Sequence, residues 1–110
     1  MWFIFPQIRG LGSSPTAVAF SIASRQEAEA YVDHPILGPR LRECTELVNL
    51  IEGRSIGQIF DSPDDLKFRS SMTLFGSVAA DNAVFQNALQ KFFAGEPDFR
   101  TLALIARSDS

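Results

Sequence analysis

Apolar residues recur along this chain mostly at helical spacing. Leu37, Leu41, Cys44, Val48 and Ile51 follow one another at intervals of four, three, four and three, with Leu47 alongside. That period places them on one face of an amphipathic helix, and Gly53 supplies a stop just beyond it. Phe85, Ala88, Leu89 and Phe92 form a second stripe, opened by a cap at Asp81 or Asn82 and closed by Gly95. Phe68, Met72, Phe75 and Ala79 form a third. Its helix starts either at Ser62-Pro63-Asp64-Asp65, where acidic residues suit the helix dipole, or later at Ser70.

Shorter elements are read from their caps. Ser14-Pro15 opens a helix through about Ala23, with proline at the first helical position. Ser24 and Glu27 make a capping box for a helix through about Asp33, stopped by His34-Pro35. Ser55 and Gln58 start one or two turns ending near Phe60, and Pro97-Asp98 opens a last helix with Leu102 and Ile105 inside it. Strand-like alternation is confined to Trp2–Ile8. The expected architecture is mainly α: one compact domain, residues 1–106, of about six or seven short helices behind an extended N-terminal segment. Residues 107–110 read as a flexible polar tail.

Composition sharpens this picture. The 110 residues include ten Phe against one Tyr and one Trp, which marks a core filled by rings without polar handles. A net charge of −3 argues against nucleic-acid binding through the phosphate backbone. Cys44 stands alone, so neither an intrachain disulfide nor a cysteine zinc cluster can form, and a reducing, cytoplasmic setting is expected. It reads as a small core hydrophobe. His34 is the sole histidine, which removes a two-histidine metal site; before Pro35 it reads as a turn or cap residue. Arg40, Arg42 and Arg54 lack interleaved aromatics and read as a solvated face. No cofactor, metal or membrane partner is expected. The apolar start Trp2-Phe3-Ile4-Phe5 is too short to span a bilayer. Four successive apolar side chains point in at least two directions, so self-association through this segment, or cover by an upstream segment, is expected.

Two segments could carry chemistry. Gln7-Ile8-Arg9-Gly10-Leu11-Gly12-Ser13-Ser14-Pro15 joins the apolar start to a helix N-terminus, where backbone N–H groups, the dipole and Arg9 could bind an anion. It lacks the spacing of a P-loop, and an ordinary serine-capped glycine loop accounts for the same residues. Asp64-Asp65-Leu66-Lys67-Phe68-Arg69-Ser70-Ser71 gathers acids, bases and hydroxyls. Lys67 and Arg69 could clamp phosphate, and Asp64 or Asp65 could act as base or ribose acceptor. A solvated helix start with intrahelical ion pairs accounts for these residues too.

Several longer motifs carry a resemblance: Met1-Trp2-Phe3-Ile4-Phe5-Pro6-Gln7; Gly10-Leu11-Gly12 with Ser14-Pro15; His34-Pro35-Ile36-Leu37-Gly38-Pro39-Arg40-Leu41; Ser62-Pro63-Asp64-Asp65-Leu66-Lys67 with Ser70-Ser71-Met72-Thr73-Leu74-Phe75; and Asp98 with Thr101-Leu102. Together they resemble family 1810 of the bacterial domains of unknown function over nearly the whole chain. The resemblance implies a few dozen further residues upstream, including a helix leading into the Trp2–Gln7 segment. Such proteins are sometimes labelled calpastatin, which conflicts with a compact, Phe-rich chain. In layout the chain is also similar to the NADAR proteins, small helical N-glycosidases acting on ADP-ribose-type substrates. The resulting expectation is a site for a phosphorylated or nucleotide-type small ligand, ADP-ribose-like, with N-glycosidase activity as the reaction to test. Its lining would come from Trp2, Phe5, Gln7, Arg9, Ser13, Ser14, Lys67, Arg69 and Ser70, with Asp64 and Asp65 as catalytic candidates. The rival expectation is a non-catalytic interaction or structural module.

Overall fold

The computed structural model describes residues 4–11, 15–19 and 21–108. Among the described residues seven helices follow in chain order: α1 (Pro15–Ala19), α2 (Arg25–Asp33), α3 (Leu37–Asn49), α4 (Ile56–Ile59), α5 (Asp64–Val78), α6 (Ala83–Phe93) and α7 (Phe99–Ser108). Among the described residues the extended pairing is one isolated parallel bridge, Ile8 with Ile22. The fold is mainly α.

The caps explain the boundaries. Ser24 Oγ accepts from Glu27 N, while Glu27 Oε2 reaches back to Ala23 N, so α2 is held by a near capping box. At α4 the box is complete between Ser55 and Gln58. His34 Nδ1 accepts from both Ile36 N and Leu37 N at 3.1 Å, tying off the first turn of α3. Of the two starts open for α5, the helix takes Asp64, with a cis peptide at Ser62-Pro63. Helix α6 ends in left-handed Ala94 (φ 55°) followed by Gly95 (φ 80°).

Some elements differ from the sequence expectation. Helix α1 stops at Ala19 and not Ala23, and Ser21–Ile22 is drawn out to hydrogen-bond Gln7 and Arg9. Helix α3 ends at Asn49, so Ile51 lies past it and is only half-buried. Leu47 is exposed. Helix α7 continues through Ser108, whose Oγ accepts from Arg25 N, into the segment expected as a tail.

Helix α5 is the centre, with α2, α4, α6 and α7 packed against it; α3 packs against α2 and α6. Phe68, Met72, Leu74, Phe75 and Phe85 are fully buried. Phe68 is the hub of an aromatic cluster, with ring centroids of Phe5, Phe60, Phe92 and Phe93 between 4.9 and 6.4 Å away. At the α2–α3 corner, a Cβ on Gly38 would fall inside contact distance of the Val32 carbonyl, so only glycine fits there.

Candidate functional site

The two segments singled out from the sequence meet at the start of α7. Asp98 directly precedes that helix and acts as its cap. Its Oδ1 accepts from Arg100 N at 3.3 Å, and its Oδ2 accepts from the hydroxyls of Ser70 (2.7 Å) and Thr101 (2.5 Å). Asp98 N donates to Thr73 Oγ1 at 2.9 Å. The cap is therefore also a clamp between α7 and α5. Two residues on, Arg100 Nη2 donates to the Gly10 carbonyl at 3.1 Å. Leu104 lies over Gly10, where φ is 112° and a Cβ would meet its methyls at 3.1 Å. One turn of helix thus touches both the Gly10 loop and α5.

Of the described candidate side chains, Ser70 is the one bonded to Asp98; the others have partners of their own. Arg9 is exposed and donates from Nε to Ser21 Oγ at 3.2 Å. Gln7 is half-buried, and its carbonyl accepts from Ile22 N at 2.7 Å. Arg69 donates from Nε to the Glu96 carbonyl at 3.1 Å, pairs with the Glu96 carboxylate at 3.4 Å and lies over the Phe93 ring at 5.4 Å. Lys67 pairs with Asp64 at 3.5 Å, one helical turn away. Asp65 Oδ1 accepts from Leu66 N. Ser70 is buried, spent on Asp98 and on the Leu66 carbonyl. Phe5 is 3% exposed, its ring edge-on to Phe60 and Phe68, so it belongs to the core. Trp2, Ser13 and Ser14 lie outside the described residues.

A family model described as "Protein of unknown function (DUF1810)" matches residues 1–105. The chain belongs to this family. It is also similar to a solved structure, that of the conserved hypothetical protein Rv1873 from Mycobacterium tuberculosis. The two share 57% identity and superpose with a TM-score of 0.94, over 96% of this chain and 75% of the other. No curated protein matches the chain.

A second polar region of this DUF1810 protein lies between α3 and α6, a groove of about 470 Å³. Arg42, Glu46 and Asn49 line it from α3, Asp81 from the preceding turn, and Val84 and Asn87 from α6. Arg42 donates to the Asp81 carbonyl at 2.6 Å with its guanidinium 5.3 Å from the Phe85 centroid. Asn49 Nδ2 donates to the Val84 carbonyl, which fixes the amide's orientation, and leaves Oδ1 buried without a partner. Neither Glu46 nor Asn87 was singled out from the sequence as a site residue.

At the α7 junction, sequence reasoning missed Arg100, Thr73 and the role of Asp98 as a clamp. The Asp98-x-x-Thr101 spacing after Pro97 was a legible cap signal. The Ser70 and Gly10 contacts, 28 and 90 residues away in the chain, carried no signal of their own. Among the described residues no helix is long and apolar enough to cross a membrane, and no group of three or more His, Cys, Asp or Glu could hold a metal ion.

Proposed function

We propose that this DUF1810 protein binds a phosphorylated or nucleotide-type small ligand, ADP-ribose-like, at the junction of the Gly10 loop, α5 and the first turn of α7. One observation carries the reading: Arg100 holds the Gly10 carbonyl while Asp98, two residues earlier, holds Ser70. That arrangement supports a ligand site to which Arg9, beside Gly10 in the chain, Lys67 and Arg69, just before Ser70, and Arg100 would supply the cationic groups. Guanidinium groups suit phosphate because their forked donors match its oxygens. If the ligand is cleaved, the reaction we assign is N-glycoside hydrolysis. Water adds to the anomeric carbon as the carbon–nitrogen bond breaks; Asp64 or Asp65 takes the water's proton, and that proton passes to the departing nitrogen, which leaves as the free base. The unpaired Cys44 thiol fits a reducing, cytoplasmic setting.

The test is a thermal-shift series with ADP-ribose, AMP and inorganic phosphate. The expected result is a rise in melting temperature with a phosphate-bearing ligand, abolished by Arg9→Ala together with Lys67→Ala. An undiminished rise in the double variant removes these cations from the site. Release of free base from an N-ribosyl substrate, lost in Asp64→Asn or Asp65→Asn, would establish catalysis. The rival reading, an interaction module, is favoured by a different observation: large aliphatic side chains left in solvent along α3.

A further inference from the structure

Helix α3 buries Gly38, Leu41, Thr45 and Val48. On the side directly away from Thr45 run Ile36, Arg40, Glu43, Leu47 and Leu50, spaced four, three, four and three, as 3.6 residues per turn requires of a single line. Ile36, Leu47 and Leu50 are 60%, 58% and 73% exposed. Scattered exposed aliphatics need no explanation, but three in one line along the outward side of one helix do. Among the described residues neither Arg40 nor Glu43 takes part in an ion pair or a side-chain hydrogen bond.

The order along this line is aliphatic, cation, anion, aliphatic: Ile36, Arg40, Glu43, Leu47. Reversed, it reads aliphatic, anion, cation, aliphatic. The line is therefore complementary to itself when run backwards. With a two-fold axis passing between Arg40 and Glu43, a second α3 laid antiparallel sets Ile36 against Leu47 of the second copy and Arg40 against its Glu43. Symmetry makes each contact twice. A parallel pairing in register would set Arg40 on Arg40 and Glu43 on Glu43, so the charges also choose the direction.

We infer that the outward face of α3 is a self-association surface and that its occupant is a second copy of this chain, docked antiparallel. Leu50, the cap residue just past α3, extends the apolar line at one end and also borders the α3–α6 groove. Ile4, half exposed, shares a shallow cleft with Tyr31, Leu37 and Arg40 at the other. A contact between single helices is at the small end of interface sizes, so the association is weak and concentration-dependent. It is independent of the ligand reading, because it uses neither the Gly10 loop nor α7.

The experiment is sedimentation equilibrium of the full chain over a wide concentration range, with charge reversals at two exposed positions. Mass should climb from monomer towards dimer as concentration rises. Arg40→Glu alone, or Glu43→Arg alone, replaces two attractive pairs by two repulsive ones and should weaken association about tenfold. The double reversal Arg40→Glu with Glu43→Arg restores the pairing and should return association to that of the parent chain. Circular dichroism melts of the four proteins, taken at a concentration where the parent chain is monomeric, should agree within about 0.5 kcal/mol, since both side chains are in solvent. A monomer at every concentration overturns the inference. So does a double reversal no stronger than the single ones. Association indifferent to both charges also overturns it, and would assign the contact to another surface such as the N-terminal apolar segment.

Discussion

Helices α3 and α5 handle polar residues in opposite ways. In α5 every residue from Ser70 to Gly76 is buried, hydroxyls included. Thr73 donates to the Arg69 carbonyl, one turn back, and Ser70 has both the Leu66 carbonyl and the distant Asp98 carboxylate within hydrogen-bond reach, so each enters the core with a partner. In α3 the division is by side: Leu41, Thr45 and Val48 go in, while Leu47 and the cap residue Leu50 stay out. A central helix has neighbours all round and must bury whatever it carries; a peripheral helix is free to leave even leucine in water. Hydrophobicity is therefore a poor guide to which helix is inside. The number of helices packed around it decides.

The sharpest test sets the two helices side by side. Phe68→Ala removes the ring that four others touch and should cost about 3–5 kcal/mol in urea denaturation, whereas Leu47→Ala should change stability by under about 0.5 kcal/mol. Similar losses at both positions would end the contrast. Next in size is Gly38→Ala at the α2–α3 corner, where the added methyl meets the Val32 carbonyl. A loss of about 1–3 kcal/mol is expected, as for overpacking elsewhere. A silent substitution would mean that α3 shifts easily and is the looser of the two.

The attachment of α7 to α5 should come third. Asp98→Ala deletes the cap and the acceptor for Ser70 and Thr101, and should cost about 0.5–2 kcal/mol. Its particular mark is faster amide exchange in α7, with α6 protected as before. Uniform loss of protection across both helices would show that α7 does not open by itself.

The smallest effect lies on the α2 side, at Tyr31, whose ring packs on Phe75 at 5.5 Å. Burial pushes its phenol above the ordinary value of 10.0; Arg40 draws it down and Cys44 adds a rise. The folded state then holds the phenolic proton more tightly than the unfolded one. That stability is fully present below pH 10.0 and is lost as pH rises through the raised folded value. As the chain has one tyrosine, absorbance of the phenolate reports it directly. A midpoint at or below the ordinary value would contradict the burial, and Tyr31→Phe should remove this part of the alkaline slope.

Much of the helical layout was legible because its signals are local. Ser24, Ser55 and Pro15 announce starts, and Gly95 announces an end, through contacts within four residues. The Leu41–Val48 and Phe85–Leu89 stripes reach the core as their period predicts. Leu47 misled because a leucine beside a stripe looks the same whether or not a neighbour covers it. In the sequence Ser70 and Phe5 look ligand-facing because polarity and aromaticity belong to single residues and do not show what each packs against. In the fold Ser70 clamps Asp98 and Phe5 fills the aromatic cluster. Arg100 carries no signal in the sequence, since its contact with Gly10 depends on how α7 returns across the loop.

The sequence by itself determined that this chain is a mainly helical member of the DUF1810 family, where most helices begin and end, and which stripes seek a core. Those outcomes depend on periodicity, caps and motifs, all of which act over a few residues. Only the tertiary structure decided that α5 is central, that the polar junction forms between Gly10, Ser70 and Asp98, and that α3 turns three aliphatics and an opposed charge pair outward. Each of those depends on which elements meet across tens of residues, and short-range pattern carries no record of that.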